Sequence, residues 1–331
     1  MLLRTISLWL MPLLLGNVQS IRVKVSQEFP KGSEIENMAL RPCGSVLANV
    51  YTTPTIFEVP VIPNAKPKLI YTFQNAKGVS SIAYSSTPDE YFVVTGNFSF
   101  QTFSPTPNSY AIHRLSFDKH TDKPTSRKLA QLDAIAQPNG ITHVPNTPYV
   151  LIADCRAGFV FRFNPKTLEL TKYFDHPLLK PVGDIVLFGV NGIKLSRGYL
   201  YFSNTNQQLV ARIKASGKEA SLVGNPEVVA TGLPVDDFIV DNHNGDLYLT
   251  ANGDSNTLSV VNKDTGLTPR ILYGGLNSTD LLFPTAAIWA KRAEGQLLIV
   301  SNSGDGTQFI TEEYTGGGRL NFVKVGRRLK Q

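Results

Sequence analysis

Six times along the chain a polar residue opens a short apolar segment, a turn follows, and a strongly apolar strand comes next. The copies run 36–40 into 45–49, 80–84 into 91–94, 139–142 into 149–154, 191–195 into 199–204, 236–240 into 247–250, and 285–288 into 297–300. Third strands are legible at 158–163, 209–213 and 258–261. The openings at 36, 80, 139, 191, 236 and 285 are spaced by 44, 59, 52, 45 and 49 residues. A period of about 40–50 residues with several strands per unit predicts a β-propeller. Six copies predict an all-β fold of six blades, each with four antiparallel strands. Residues 21–33 or 318–325 are expected to supply the strand that closes the ring. Helical periodicity is weak and confined to 125–135.

The chain has 331 residues, 42% of them hydrophobic and only 18% charged, which excludes a disordered or coiled-coil chain. The formal charge of +6 is concentrated in Lys324, Arg327, Arg328 and Lys330, a solvated tail and not a nucleic-acid footprint. Arg4 precedes an apolar run at 6–15, and Val18 and Ser20 suit the small-residue positions before a cleavage site. Residues 1–20 therefore read as a signal peptide and 21–331 as a single propeller domain, secreted or in the secretory lumen. No segment is long enough for a transmembrane helix. An oxidising compartment favours a Cys43–Cys155 bridge, worth up to about 4–5 kcal/mol for a loop of this length. Topology opposes it, because the two cysteines fall in blades one and three, which are not neighbours. The sequons Asn97-Phe98-Ser99 and Asn277-Ser278-Thr279 make Asn97 and Asn277 expected glycosylation sites.

In a propeller the innermost strands run along a central channel, so the residues that open them converge near one mouth. Here these are Glu36, Ser80, Asn139, Asn191, Asp236 and Thr285, all polar. Such a ring suits a hard cation such as Ca²⁺, or hydrogen bonding to a polar ligand. The competing reading is that Asn-Gly and Asp are ordinary turn residues at strand starts.

These residues resemble the gluconolactonase-like six-bladed propellers, a superfamily that includes paraoxonases, diisopropyl-fluorophosphatase and strictosidine-synthase relatives. The resemblance covers almost the whole of 21–331. In hydrolase members a channel Ca²⁺ is held by a Glu of the first blade, Asn residues of middle blades and an Asp of a later one. Carried over, this implies Glu36, Asn139, Asn191 and Asp236 as metal ligands, with Asp237 alongside. The match departs at histidine: His113, His120, His143, His176 and His243 all lie away from the repeat openings. His143, on an inner strand, reads as a satisfied packing residue. No Gly-x-Ser-x-Gly elbow, His-Glu-x-x-His or Cys/His cluster is present.

Glu-Asn-Met-Ala-Leu-Arg-Pro, Val-Asn-Gly-Ile-Lys and Pro-Val-Asp-Asp-Phe, behind a signal peptide, look most like secreted fungal members of this superfamily. Some of those are similar to hetero-Diels–Alderases that join a humulene-type sesquiterpene to a tropolone quinone methide. The resemblance implies such a pericyclase, with small hydrophobic substrates, no required cofactor, and a monomer or homodimer. Its candidate catalytic residues are Asn139, Asn191 and Asp236, and its candidate substrate contacts are Tyr51, Ser80, Phe283, Thr285 and Trp289. A Ca²⁺-dependent lactonase or esterase, with Asp236 or Glu36 as base, is the second reading. A non-catalytic secreted binding propeller is the third.

Overall fold

A computed structural model describes residues 22–62, 65–183, 187–253, 255–292, 295–304 and 316–324. The expected signal peptide and the basic tail beyond Lys324 lie outside these residues. Six four-stranded antiparallel sheets follow one another around a ring. Their innermost strands are Ile35–Leu40, Gly78–Tyr84, Pro138–His143, Val190–Ser196, Val235–Val240 and Pro284–Arg292. Each strand pairs with the next in sequence, moving outward, except in blade six. There Pro284–Arg292, Gly295–Asn302 and Arg319–Lys324 are completed by Arg22–Glu28 from the other end of the chain. Both expected closing segments are therefore used, paired from Arg22↔Lys324 to Glu28↔Arg319.

The apolar residues form six clusters, one at each blade-to-blade interface. Leu47 and Ile56 of blade one meet Ile82 and Val93 of blade two, and Phe161 of blade three packs against Ile112 of blade two. The second strands are thus sandwiched between neighbouring blades. That is why 46–50, 150–154 and 247–251 are buried at every position and read as unbroken apolar runs. Outer strands are covered on one side only and alternate, as in Pro124–Gln131. This last strand corrects the helical reading of 125–135. Its spacing arose from exposed polar residues on the rim of blade two, where strand pairing overrides a weak helical pattern.

The long 59-residue step between the second and third openings has a local cause. Blade two inserts a small hairpin, Phe98–Ser99 paired with Ser104–Pro105, between its second and third strands. Among the described residues no helix is long and apolar enough to cross a membrane.

Candidate functional site

Every inner strand breaks its pairing register at the same place. The shifts fall between Ile35 and Asn37, Val79 and Ser81, Pro138 and Ile141, Val190 and Ile193, Val235 and Phe238, and Pro284 and Ala287. The residues left out of register are Glu36, Ser80, Asn139, Asn191, Asp236 and Thr285, with one further residue in blades three to six. The polar openings are therefore β-bulges, a device that re-aims side chains and leaves backbone groups to be satisfied elsewhere. Those groups bond to neighbouring blades. Asn49 Nδ2 donates to the Val79 carbonyl at 2.7 Å, Ser203 Oγ to Asp236 at 2.6 Å, Thr250 Oγ1 to Thr285 at 3.0 Å, and Thr285 Oγ1 to Ile35 at 2.6 Å.

The bulges bring carboxyl groups together at one mouth. Asn139 Nδ2 donates to Glu36 Oε1 at 2.9 Å, joining blade three to blade one. Asn252 Nδ2 donates to Asp236 Oδ2 at 2.6 Å. Glu34, just before the first inner strand, belongs to the same group: burial, then Glu36 and Asp236, push its carboxyl well above the usual range. Burial lifts Glu36 to about 7, opposed by the Asn139 bond and helped by Asp237. Asp236 is raised by burial, by Glu36 and by Asp237, against the hydrogen bonds of Asn191 and Asn252. These are buried acids held toward their neutral, proton-donating form.

Further along the channel Asp237 stays ion-paired. Lys194 Nζ reaches its carboxylate at 2.5 and 2.7 Å, and Asn37 Nδ2 donates to it at 3.2 Å. Lys194, Asp237 and Asn37 come from blades four, five and one, so they bridge the channel beneath the acids.

The mouth also collects buried polar atoms without a hydrogen-bond partner among the described residues. They include Glu34 Oε2, both amide atoms of Gln137, Asn191 Oδ1 and both amide atoms of Asn302. Gln137 immediately precedes the third inner strand, and Asn302 pairs with Pro284 at the start of the sixth. Buried groups of this kind cost about 1–3 kcal/mol each unless something pairs with them.

Beside them stands an aromatic wall. Tyr51 is buried, with its backbone N–H on the Glu34 carbonyl at 2.9 Å. Phe98 stacks on it at 5.5 Å and 18°, and Phe100 meets it edge-on at 5.4 Å. Phe98 also touches Phe100, Phe103 and, from blade four, Phe188 at 6.5 Å.

The other candidates divide. Ser80 and Thr285 are on the ring, but their hydroxyls serve backbone carbonyls. Phe283 sits at the mouth of blade six in a left-handed conformation, φ 54°. Trp289 does not belong to the site: it lies near the far end of its strand, packed edge-on against Tyr248 at 5.1 Å between blades five and six. His143 is likewise away from the mouth, its Nε2 on the Thr147 carbonyl at 2.7 Å. Cys43 and Cys155 are free thiols, which corrects the expected bridge. Cys43 lies in the turn leaving the first inner strand, whereas Cys155 donates its N–H to the Gln137 carbonyl at the opening end of the third. They occupy opposite faces of the ring. Asn97 is half-buried at the base of the hairpin, its Oδ1 accepting from the Lys77 N–H, and Asn277 is exposed.

Glu34, Gln137 and Asn302 escaped the sequence reading because they flank the repeated positions. Phe98, Phe100 and Phe103 escaped it because they belong to an insertion outside the repeat.

The donor set can be weighed against a hard cation. Among the described residues no three acidic, His or Cys side chains form a metal cluster by themselves. Amide oxygens would have to contribute, and Asn191 Oδ1 is a buried acceptor available for that role. Oxygen donors of this kind are the type Ca²⁺ prefers.

No family model matches the chain. It is 29% identical over 248 residues to the "Putative hetero-Diels-Alderase asR5" of Sarocladium schorii, covering 65% of this chain and 60% of that protein. Among solved structures, a luciferin-regenerating enzyme superposes with a TM-score of 0.62 at 13% identity, over 94% of this chain and 97% of that one. A gluconolactonase from Xanthomonas campestris gives 0.60 at 14%, over 93% and 91%. The virginiamycin B lyase of Staphylococcus aureus gives 0.59 at 13%, over 92% and 100%. The chain is a six-bladed β-propeller that shares its fold with these structures and is similar, over the matched segment, to the Sarocladium schorii protein.

Proposed function

We propose that the protein is an enzyme that couples two apolar partners by a hetero-Diels–Alder reaction at the channel mouth. The observation that carries this reading is the aromatic wall of Tyr51, Phe98 and Phe100 adjoining buried carboxyl groups held toward neutrality. In such a [4+2] addition the two π bonds of the heterodiene and the π bond of the alkene are replaced by two σ bonds and one new π bond within the former heterodiene, with no net proton transfer. The enzyme's task is to hold both partners in near-attack register and to donate hydrogen bonds to the heterodiene carbonyl as charge builds on it. The Glu36 and Asp236 carboxyls and the Asn139 and Asn191 amides are the donors, and the phenylalanines supply the apolar seat. The name of the Sarocladium schorii relative supports the reaction class, and the resemblance supports a tropolone quinone methide and a humulene-type sesquiterpene as partners. The leader-like 1–20 segment supports secretion, with glycans on Asn97 and Asn277.

The assay gives the protein a quinone-methide precursor and the sesquiterpene, and scores adduct yield and stereochemistry against an enzyme-free control. Asn139→Ala or Asn191→Ala is expected to cost about 1–3 kcal/mol in the transition state. Asp236→Asn keeps the shape and a donor, and is expected to be mild. An adduct distribution identical to the control rejects the reading.

Asn191 Oδ1, buried and without a partner among the described residues, favours a second reading, a Ca²⁺-dependent lactonase. Glu36, Asn139, Asn191 and Asp236 would then hold the cation, which when bound polarises a carbonyl and a water. Calcium-dependent opening of an aryl lactone that Asp236→Asn abolishes would establish it.

A further inference from the structure

Residues 275–283 carry the chain from the outer strand of blade five, Arg270–Gly274, to the sixth inner strand, on the mouth face of the ring. Hydrogen bonds hold this loop in one shape. The Gly275 N–H donates to the Asn256 carbonyl at 2.9 Å, and the Ser278 N–H to the Gly275 carbonyl at 2.9 Å. From blade six, Asn321 Nδ2 donates to the Asp280 carbonyl at 2.8 Å and Arg319 Nη1 to the Thr279 carbonyl at 3.3 Å. The Tyr273 hydroxyl donates to Asp280 Oδ2 at 2.8 Å and so closes the loop on itself. Leu281, buried between blades five and six, anchors its far end. A compact loop packed in this way is a built feature of the surface.

Residues 273–280 line an open groove of about 520 Å³. The Tyr273 ring, half-buried against the blade five–six cluster, gives it an apolar side. Ser278, Thr279 and the Asp280 carboxylate give it a polar one. A pyranose ring has the same two characters, an apolar face of axial C–H bonds and a rim of hydroxyls. The attachment point for such a ring lies inside the groove. Asn277 opens the sequon Asn277-Ser278-Thr279, is exposed, and is itself one of the lining residues. Leu276, beside it, is 66% exposed, more than any other large apolar side chain described. The second sequon is placed differently: Asn97 is half-buried, with its Oδ1 held by the Lys77 N–H at 2.9 Å.

We propose that the groove at 273–280 is the seat of an N-acetylhexosamine, the first sugar of an oligosaccharide carried by Asn277, with Tyr273 under its apolar face. Attachment forms a bond from Asn277 Nδ2 to C1 of that sugar. The amide nitrogen loses a proton, and the pyrophosphate of a lipid-linked oligosaccharide donor is the leaving group. The rest of the oligosaccharide then lies over Leu276, and the glycan acts as a structural part of the blade five–six junction. The inference rests on the secretory reading of residues 1–20 and is independent of the cycloaddition reading.

The full chain is made in a eukaryotic secretory host, once behind residues 1–20 and once with a foreign leader in their place. Export by the foreign leader alone counts against the secretory reading and still tests the seat. Ser99→Ala removes the other sequon and leaves Asn97 in place. Peptide mass spectrometry is expected to find an oligosaccharide on Asn277. One portion is then trimmed by an endoglycosidase to a single N-acetylglucosamine, and another is stripped by an amidase. The one-sugar form is expected to melt with the intact glycoprotein. The stripped form and Asn277→Gln are expected to melt about 2 °C lower, the scale of one aromatic contact in a chain of this size. In Tyr273→Leu the gap between one-sugar and stripped forms should vanish. In Tyr273→Phe, which keeps the ring and loses the bond to Asp280, it should persist. An unmodified Asn277 behind both leaders overturns the proposal, as do equal melting temperatures of the one-sugar and stripped forms. So does a gap undiminished in Tyr273→Leu, or one lost equally in Tyr273→Phe.

Discussion

Asn139 donates to Glu36 across the channel, Nδ2 to Oε1 at 2.9 Å, and in doing so ties blade three to blade one. The bond favours the ionised form of Glu36, yet burial prevails and the carboxyl rises to about 7. Its contribution to stability therefore has a definite sign. The folded state holds the proton more tightly than the unfolded chain, so this contribution is complete below about 4.5 and is lost as pH rises through about 7. His113 acts in the opposite direction. It is buried beside Thr95 Oγ1 at 3.0 Å, and burial lowers it to about 4, so stability is lost as pH falls from about 6.5 through about 4. Melting temperature is expected to peak between these limbs. Glu36→Gln should flatten the alkaline limb and His113→Gln the acid one. Thermal melts from pH 4 to 9 check both, and an unchanged alkaline slope in Glu36→Gln would contradict the burial argument.

The two thiols are expected to report opposite environments. Cys43 is exposed and should react with a thiol reagent in the native protein. Cys155 is fully buried, its thiol pushed up by burial and by neighbouring carboxyls, and should react only after unfolding. Counting labels before and after denaturation gives one and then two. Zero labels in unreduced, denatured protein would restore the bridge.

The repeat was legible because each blade buries its second strand on both sides and bulges its first at the same residue. The apolar runs and the recurring polar openings are direct records of those two constraints. Glu36, Asn139, Asn191 and Asp236 could thus be named from sequence, and the structure does bring Glu36 to Asn139. What a repeat does not encode is an exception to it. The hairpin 98–105 is an insertion, so Phe98 and Phe103 appeared only as a long spacing. Trp289 lies on an inner strand, but alternation turns it into the blade interface. For the cysteines the topological argument prevails: compartment chemistry favours a bridge but carries no information about which face of the ring a residue occupies.

Arg41 follows the first inner strand, Ile35–Leu40, at the end away from Glu36. Its guanidinium, 3% exposed, pairs with Glu58 at 2.8 Å and with Asp89 and Asp122 at 2.6 Å, and stacks over Phe117 at 3.6 Å. Arg41→Met leaves Glu58 and Asp89 facing each other without a cation and is expected to cost about 3–5 kcal/mol. Asp122 is 70% exposed, so Asp122→Asn should cost less than about 1 kcal/mol despite an equally short contact. Urea unfolding of both variants checks the ordering.

The Asn-Gly pairs offer the sharpest separation between a turn and a constructed site. If Asn191-Gly192 were an ordinary turn, its glycine would be there for a left-handed backbone. Gly192 does not have one; instead a Cβ there would meet Asp237 Oδ1 at 2.2 Å and the Asp237 Cα at 2.8 Å. Gly140 is limited in the same way by the Asn191 carbonyl oxygen at 2.2 Å and the Ile193 nitrogen at 2.8 Å. In both blades the glycine admits the next blade's bulge, and the Asn before it is thereby fixed at the channel. Because backbone atoms block the space, no rotamer change relieves Gly192→Ala, and it is expected to cost about 3 kcal/mol. Gly198, at φ 77° with nothing within 4 Å of its Cβ position, is the control. There alanine meets only backbone strain of about 1–2 kcal/mol. The two variants should also part in function. Gly192→Ala shifts Asn191 and Asp237 and should lower turnover beyond its loss of stability, whereas Gly198→Ala should leave turnover intact in the folded fraction. Equal effects from both on stability and on turnover per folded molecule would mean that the Asn-Gly pairs are turns after all.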